Sequence, residues 1–196
     1  MAYATTTNVK TYMGVSSSSD DTLIGDLVDA ATSFIDTFTH RSFAVSSTST
    51  KKFDAVANVD GRNLLFSDGL EAAAITSVTN GDSTSLSVNT DYVYLPRNST
   101  PYYGLRMLSS SSNSWQYDSN GDPENAISIV ANWGYSTSAP DDIAQACIRL
   151  SAFLYRQRET NADIDRPLLV EGSVVLPSAL PKDVERMLQP YVMGTF

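Results

Sequence analysis

The chain has 196 residues, with 13 Lys plus Arg against 22 Asp plus Glu and a formal net charge of -9. That length bounds it to one domain with appendages, or to a small helical unit around a small β module. The acidic balance excludes a protein that grips nucleic acid, because phosphate binding draws most of its free energy from Lys and Arg displacing counterions.

In chain order, residues 7–13 form a short helix that Gly14 and the serine run 16–19 end. From Asp21 onward Leu23, Ile24, Leu27, Val28, Ala31, Phe34, Ile35 and Phe38 recur at helical spacing and make one apolar stripe. Asp20 and Asp21 stand where an N-cap and the helix dipole favour acids. Between residues 42 and 135 the helical period gives way to short β-type runs separated by Gly, Asn, Asp and Ser. The candidate strands are 52–56, 63–66, 75–79, 85–88, 92–95, 105–108 and 127–133. Asn80-Gly81 supplies the positive φ values of a tight hairpin turn. Residues 109–125 read as a long exposed loop, and a loop of that length is either functional or poorly ordered.

Helix returns at residues 141–159, where Ile143, Cys147, Leu150 and Leu154 mark a seam against another helix. Cys147 is then a buried small apolar residue, and Arg156 and Arg158 sit at the end that the dipole offers to cations. Beyond Asn161 the prolines 167, 177 and 181 indicate an extended arm. Its last section, with Pro181, Val184, Met187, Leu188 and Tyr191 on one face, is a short helix that Pro190 distorts or ends; such a helix needs something to pack on. The expected fold is α+β: a mainly helical unit, built from a long apolar helix and a second helix, with an inserted small antiparallel β module and an extended C-terminal arm. The divisions fall at 1–41, 42–135, 140–160 and 161–196.

Chemistry is hard to find in this chain. One histidine, His40, removes most hydrolytic arrangements, and as the single cysteine Cys147 excludes an intrachain disulfide and zinc-finger sites. His40 follows the first long helix at its C-terminal end, which suits a capping or surface role. No phosphate-cradling glycine loop and no nucleophile elbow occurs. The carboxylate pairs Asp20-Asp21 and Asp141-Asp142 are explained by helix starts, and Asp163 with Asp165 lacks the glycine and spacing of a calcium loop. The expectation is no catalytic residue, no metal and no cofactor. Tyr92, Tyr94, Tyr102, Tyr103, Trp115, Trp133 and Tyr135 could line a sugar or protein surface, but strand aromatics more often pack a core. The start, Met1-Ala2-Tyr3-Ala4, has no signal-peptide character and no apolar run reaches membrane-spanning length, so a cytoplasmic, membrane-free protein is expected.

Several segments resemble the head-tail connector (adaptor, head completion) proteins of tailed double-stranded DNA bacteriophages. Asn8 to Met13 followed by Asp20 to Ile24 is similar to the family's opening. Ala30 to Ile35 running into Thr39-His40-Arg41-Ser42-Phe43 is similar to its helix end, although glycine is commoner where His40 stands. Asp91 to Tyr94, Gly104 to Met107, Trp133-Gly134-Tyr135 with Pro140 to Ile143, Leu154 to Glu159 and Leu188 to Tyr191 continue the match over nearly the whole chain.

The resemblance implies a structural virion protein of the neck, not an enzyme. A homo-oligomeric ring, dodecameric in the family, docks under the portal protein, with DNA passing through its channel without specific binding. On that implication Pro181, Val184, Met187, Leu188, Pro190 and Tyr191 dock on the portal, Arg156 and Arg158 lie between subunits, and Trp115 and Tyr117 meet the next neck or tail protein. The location implied is the head-tail junction of the virion, reached from the bacterial cytoplasm. The alternatives are another neck protein of the stopper or tail-completion kind and a carbohydrate- or surface-binding β module.

Overall fold

A computed structural model describes residues 1–67, 69–159, 169–170, 173–174 and 180–194. The chain forms two compact units, one from Met1–Arg41 with Ala139–Thr195 and one from Ser42–Ser138.

Among its described residues the first unit holds four α-helices: α1 (Thr6–Met13), α2 (Asp21–Thr39), α3 (Asp141–Glu159) and α4 (Lys182–Leu188). Thr5 opens α1 through a reciprocal cap, its hydroxyl accepting from the Asn8 amide at 3.1 Å while Asn8 Oδ1 accepts from the Thr5 amide at 3.0 Å. Gly14 closes the helix at φ 73°, a left-handed position that costs glycine nothing. α3 is the centre of the unit, packing against α1, α2 and α4. Its Ile143, Cys147, Leu150 and Leu154 are buried, as are Ile24, Leu27, Val28, Ala31 and Ile35 of α2. Each of the Ile, Leu and Val side chains among them contributes about 1.5–3 kcal/mol by leaving water. Ser151, fully buried, donates to the Cys147 carbonyl at 2.8 Å, so its hydroxyl is satisfied inside the helix.

Among its described residues the second unit holds eight strands in two four-stranded antiparallel sheets. One runs β1 (Ser49–Phe53), β8 (Ile127–Trp133), β4 (Ala72–Thr79), β5 (Ser85–Leu86), and the other β2 (Val59–Asp60), β3 (Asn63–Leu65), β7 (Gly104–Met107), β6 (Tyr92–Leu95). One apolar core lies between them: Phe53, Val78, Ile127 and Ile129 from the first sheet meet Leu64, Leu105, Met107 and Tyr92 from the second. Ala72 and Tyr102 exchange backbone hydrogen bonds of 2.8 Å in each direction, which ties the strand β4 to the stretch ahead of β7. Aromatic packing supports the interior, with Trp133 edge-on to Phe66 at 5.2 Å and Tyr94 stacked on Tyr102 at 4.3 Å.

Four expectations change. The fold is α+β, but the mainly helical description with a small β insert gives way to a β unit of two sheets that takes up residues 42–138. Asp20 makes no side-chain cap to α2; its carboxylate accepts from the Tyr155 hydroxyl at 2.7 Å, and Asp21 pairs with Lys10 at 2.6 Å. Asn80-Gly81 does not form a two-residue hairpin, because the β4–β5 connection is longer and its positive φ falls on Ser83 at 67°. The C-terminal section, expected as an extended arm, carries a short antiparallel strand pair, β9 (Leu169–Val170) with β10 (Ser173–Val174), and its terminal helix packs on α3. Asp163, Asp165, Pro167 and Pro177 lie outside the described residues.

Candidate assembly surfaces

The C-terminal segment folds back on its own unit. In α4, Val184 and Leu188 are 1% and 0% exposed, and Arg149 of α3 donates to Asp183 at 2.9 Å, an ion pair that holds the Asp183 carboxyl below its usual range. Pro190 is accommodated by tightening the last turn into a 3-10 helix, Gln189–Tyr191. The Met193 amide then donates to the carbonyl of Thr39 at 2.9 Å, closing the segment onto the end of α2. Of the six residues expected to face the portal, Val184 and Leu188 point inward, Pro181, Met187 and Tyr191 are half-buried, and Pro190 is exposed.

The 109–125 loop is held at many points despite its polar composition. Asn80, 3% exposed, donates from Nδ2 to the Ser114 carbonyl at 2.8 Å and accepts from the Gln116 amide at 3.1 Å. Gly81 lies so close that a Cβ there would sit 2.1 Å from the Gln116 carbonyl oxygen. The Asp91 carboxylate accepts from the Ser87 amide, the Ser111 hydroxyl and Asn113 Nδ2 at 2.8, 2.9 and 2.8 Å. Those bonds hold its carboxyl below the usual value. Trp115 packs against the core of the β unit and donates from Nε1 to the Arg62 carbonyl at 3.1 Å. Tyr117 is the aromatic left outside, 49% exposed. Trp115 and Tyr117 are therefore split: one anchors the loop and the other is presented by it.

Arg156 is exposed on the last turns of α3; Arg158 belongs to the same helix, with its side chain outside the described residues. Among the described residues no group of three or more His, Cys, Asp or Glu is placed to hold a metal ion. No described helix is long and apolar enough to cross a membrane. Cys147 is fully buried, and burial raises its thiol above the usual value, so the thiolate is disfavoured. Tyr92, Tyr94, Tyr102 and Trp133 turn towards the β core or each other and do not make a common exposed platform.

Sequence reasoning missed the anchors of the loop. Asn80 read as a hairpin-turn residue and Asp91 only as the start of a strand segment that resembles the family, while their partners lie 34 and 22 residues away at Ser114 and Asn113. It also missed the outward side of the second sheet, for which the signal was available: the two-residue alternation of β3, β7 and β6 leaves Leu65, Arg106, Val93 and Leu95 on the side opposite Leu64, Leu105 and Tyr94.

The chain's arrangement, helices in one unit and a two-sheet module in the other, can be set beside known proteins. The model of the head completion protein family matches residues 2–193. The chain belongs to the head completion protein family. Membership gives this head completion protein a structural part in the virion, at the neck between head and tail. A chain in a solved virion of a native gene transfer agent particle is similar in fold, with a TM-score of 0.50 and 16% identity over 97% of this chain and 90% of that one. No curated protein sequence matches this head completion protein.

Proposed function

We propose that the chain is a head-tail connector, a homo-oligomeric, dodecameric ring that docks beneath the portal after DNA packaging and receives the next neck or tail protein. The observation that carries this reading is the family match over residues 2–193. The portal contact is made by the outer side of the C-terminal segment, Pro181, Met187, Pro190 and Tyr191, while Val184 and Leu188 act from within by holding α4 in place. Arg156 and Arg158 lie between neighbouring subunits. Tyr117, presented by the loop that Trp115 anchors, faces the next neck protein. A net charge of -9 suits a channel that lets DNA pass without holding it, since like charges repel. Assembly takes place in the bacterial cytoplasm, and many modest contacts repeated around a ring become strong together.

Co-sedimentation of the purified chain with tailless, DNA-filled heads tests the proposal. The wild-type chain is expected to pellet with heads, and Tyr191→Ala combined with Met187→Ala is expected to stay behind while remaining folded. A wild-type chain that never joins heads would overturn the portal reading and move the role to another neck component.

A further inference from the structure

We propose that the outward side of the second sheet is the seat of a neighbouring copy's α2, so that Arg106 of one subunit meets Asp26 of the next; this rests on the ring reading above. Antiparallel sheets with one solvated side ordinarily alternate apolar inside with polar outside. This sheet departs from that pattern. Leu65 and Leu95 flank Gly104 in one cross-strand row, and Val93 stands beside Arg106 in the next. Leu65 is 41% exposed. The β unit contains no helix among its described residues to lie over this side, although helix on sheet is the usual way an apolar sheet surface is covered. Arg106 is exposed at the centre of the patch, and its guanidinium makes no hydrogen bond or ion pair among the described residues. Asp60 is the acid at an outward position of these strands, two strands away from Arg106 through Asn63. An unpaired guanidinium among aliphatic side chains fits a surface that combines an apolar ridge with a carboxylate.

The chain itself carries such a surface. Beside its buried stripe α2 has a second apolar flank, where Ala30 and Phe34 are half-buried and Phe34 stacks on Phe38 at 5.8 Å. Asp26, Ala30 and Phe34 follow one another at four-residue steps and so share that flank. Asp26 is exposed and has no partner among the described residues. From Asp26 to Ala30 is about 6 Å along the helix axis, and the row of Leu95 lies about 7 Å from that of Val93 and Arg106. The charge and the apolar ridge of one surface therefore match those of the other in sign and spacing. The two patches are different, so each copy offers one to each neighbour, the head-to-tail contact from which rings are built.

Disulfide trapping tests the contact directly. Ala30→Cys and Leu65→Cys are introduced together in the full chain, with the buried Cys147 left in place, and the protein is oxidised both free and bound to tailless heads. The expected result is a ladder of covalent oligomers from the double variant and nothing beyond a dimer from either single variant. In parallel, Arg106→Glu and Asp26→Arg, both at exposed positions, should each weaken self-association about tenfold, and the double reversal should recover it. No ladder from a protein that sediments as a multimer overturns this interface and leaves the ring standing. A chain that is monomeric both free and on heads overturns the ring reading and the interface with it.

Discussion

His40 ends α2 at φ 54° and ψ 33°, in the left-handed region where a Cβ crowds the neighbouring carbonyl at a cost of about 1–2 kcal/mol. Glycine removes that strain but gives the unfolded chain more freedom, which returns about 0.5–1 kcal/mol. The imidazole is exposed and has no partner to lose among the described residues. His40→Gly is therefore expected to stabilise the protein by about 0.5–1 kcal/mol, a rise of about 1–4 °C in Tm. Calorimetry decides it, and an unchanged or lower Tm would show that the side chain contributes more than its backbone position costs. Residues of this kind explain where local reading stops. Asp20 and Asp21 sit at a helix start, as capping chemistry prefers, yet their oxygens are used by Tyr155 and Lys10. The Tyr155 partner is 135 positions away, a pairing that no window of sequence contains.

At the scale of elements, α4 separates two tasks between its sides. Leu188 is 0% exposed, so Leu188→Ala is expected to cost about 2–4 kcal/mol through lost burial and the cavity left behind. Tyr191→Ala, at a half-buried site at the helix end, should cost less than about 1.5 kcal/mol and act on head binding instead. Urea titration beside the co-sedimentation assay distinguishes them; equal losses of stability would refute the division. By the same burial, removing residues 181–196 exposes the surface of α3 that Val184 and Leu188 cover, so the truncated chain should be markedly less stable than the full one. The 109–125 loop makes a pH prediction. Folding lowers the Asp91 carboxyl below its ordinary 3.8 through bonds to Ser87, Ser111 and Asn113, which means that the ionised form is favoured in the folded state. The stabilisation is complete above about pH 4–5 and is lost as pH falls through the folded value. Hydrogen exchange at the Asn113 amide should accelerate between pH 4 and 2 relative to β8, after correction for intrinsic rates, and Asp91→Asn should remove most of that dependence. The elements β6, β8 and α3 were legible to the residue because period and length agree there. β2 was missed because Val59–Asp60 has two residues and no period to read. The loop's order was missed because it comes from Asn80, Gly81 and Asp91, whose roles depend on distant carbonyls and amides.

At the scale of the molecule, the β unit is continuous in sequence while the helical unit is made from both ends of the chain. A module inserted in this way can fold alone only if its two ends meet and its core is its own. Both conditions hold within residues 42–138. The Tyr135 amide donates to the Ser42 carbonyl at 2.8 Å and the Val45 amide to the Ser136 carbonyl at 3.0 Å, so entry and exit are joined by backbone bonds. Phe43 and Tyr135 pack their rings 5.2 Å apart at the same place. The core drawn from both sheets, Phe53 through Ala131, consists of residues from this unit. An excised 42–138 fragment is thus expected to fold cooperatively, with Trp115 and Trp133 packed against the same core as in the full chain. Two-dimensional amide spectra of the fragment and the full chain decide the matter: superimposable resonances for β4 and β8 are expected. A collapsed fragment would mean that this core depends on the helical unit. If it folds, the fragment also isolates half of the proposed subunit contact, since it keeps Arg106 and Leu65 but lacks α2, and it should then remain monomeric at concentrations where the full chain associates.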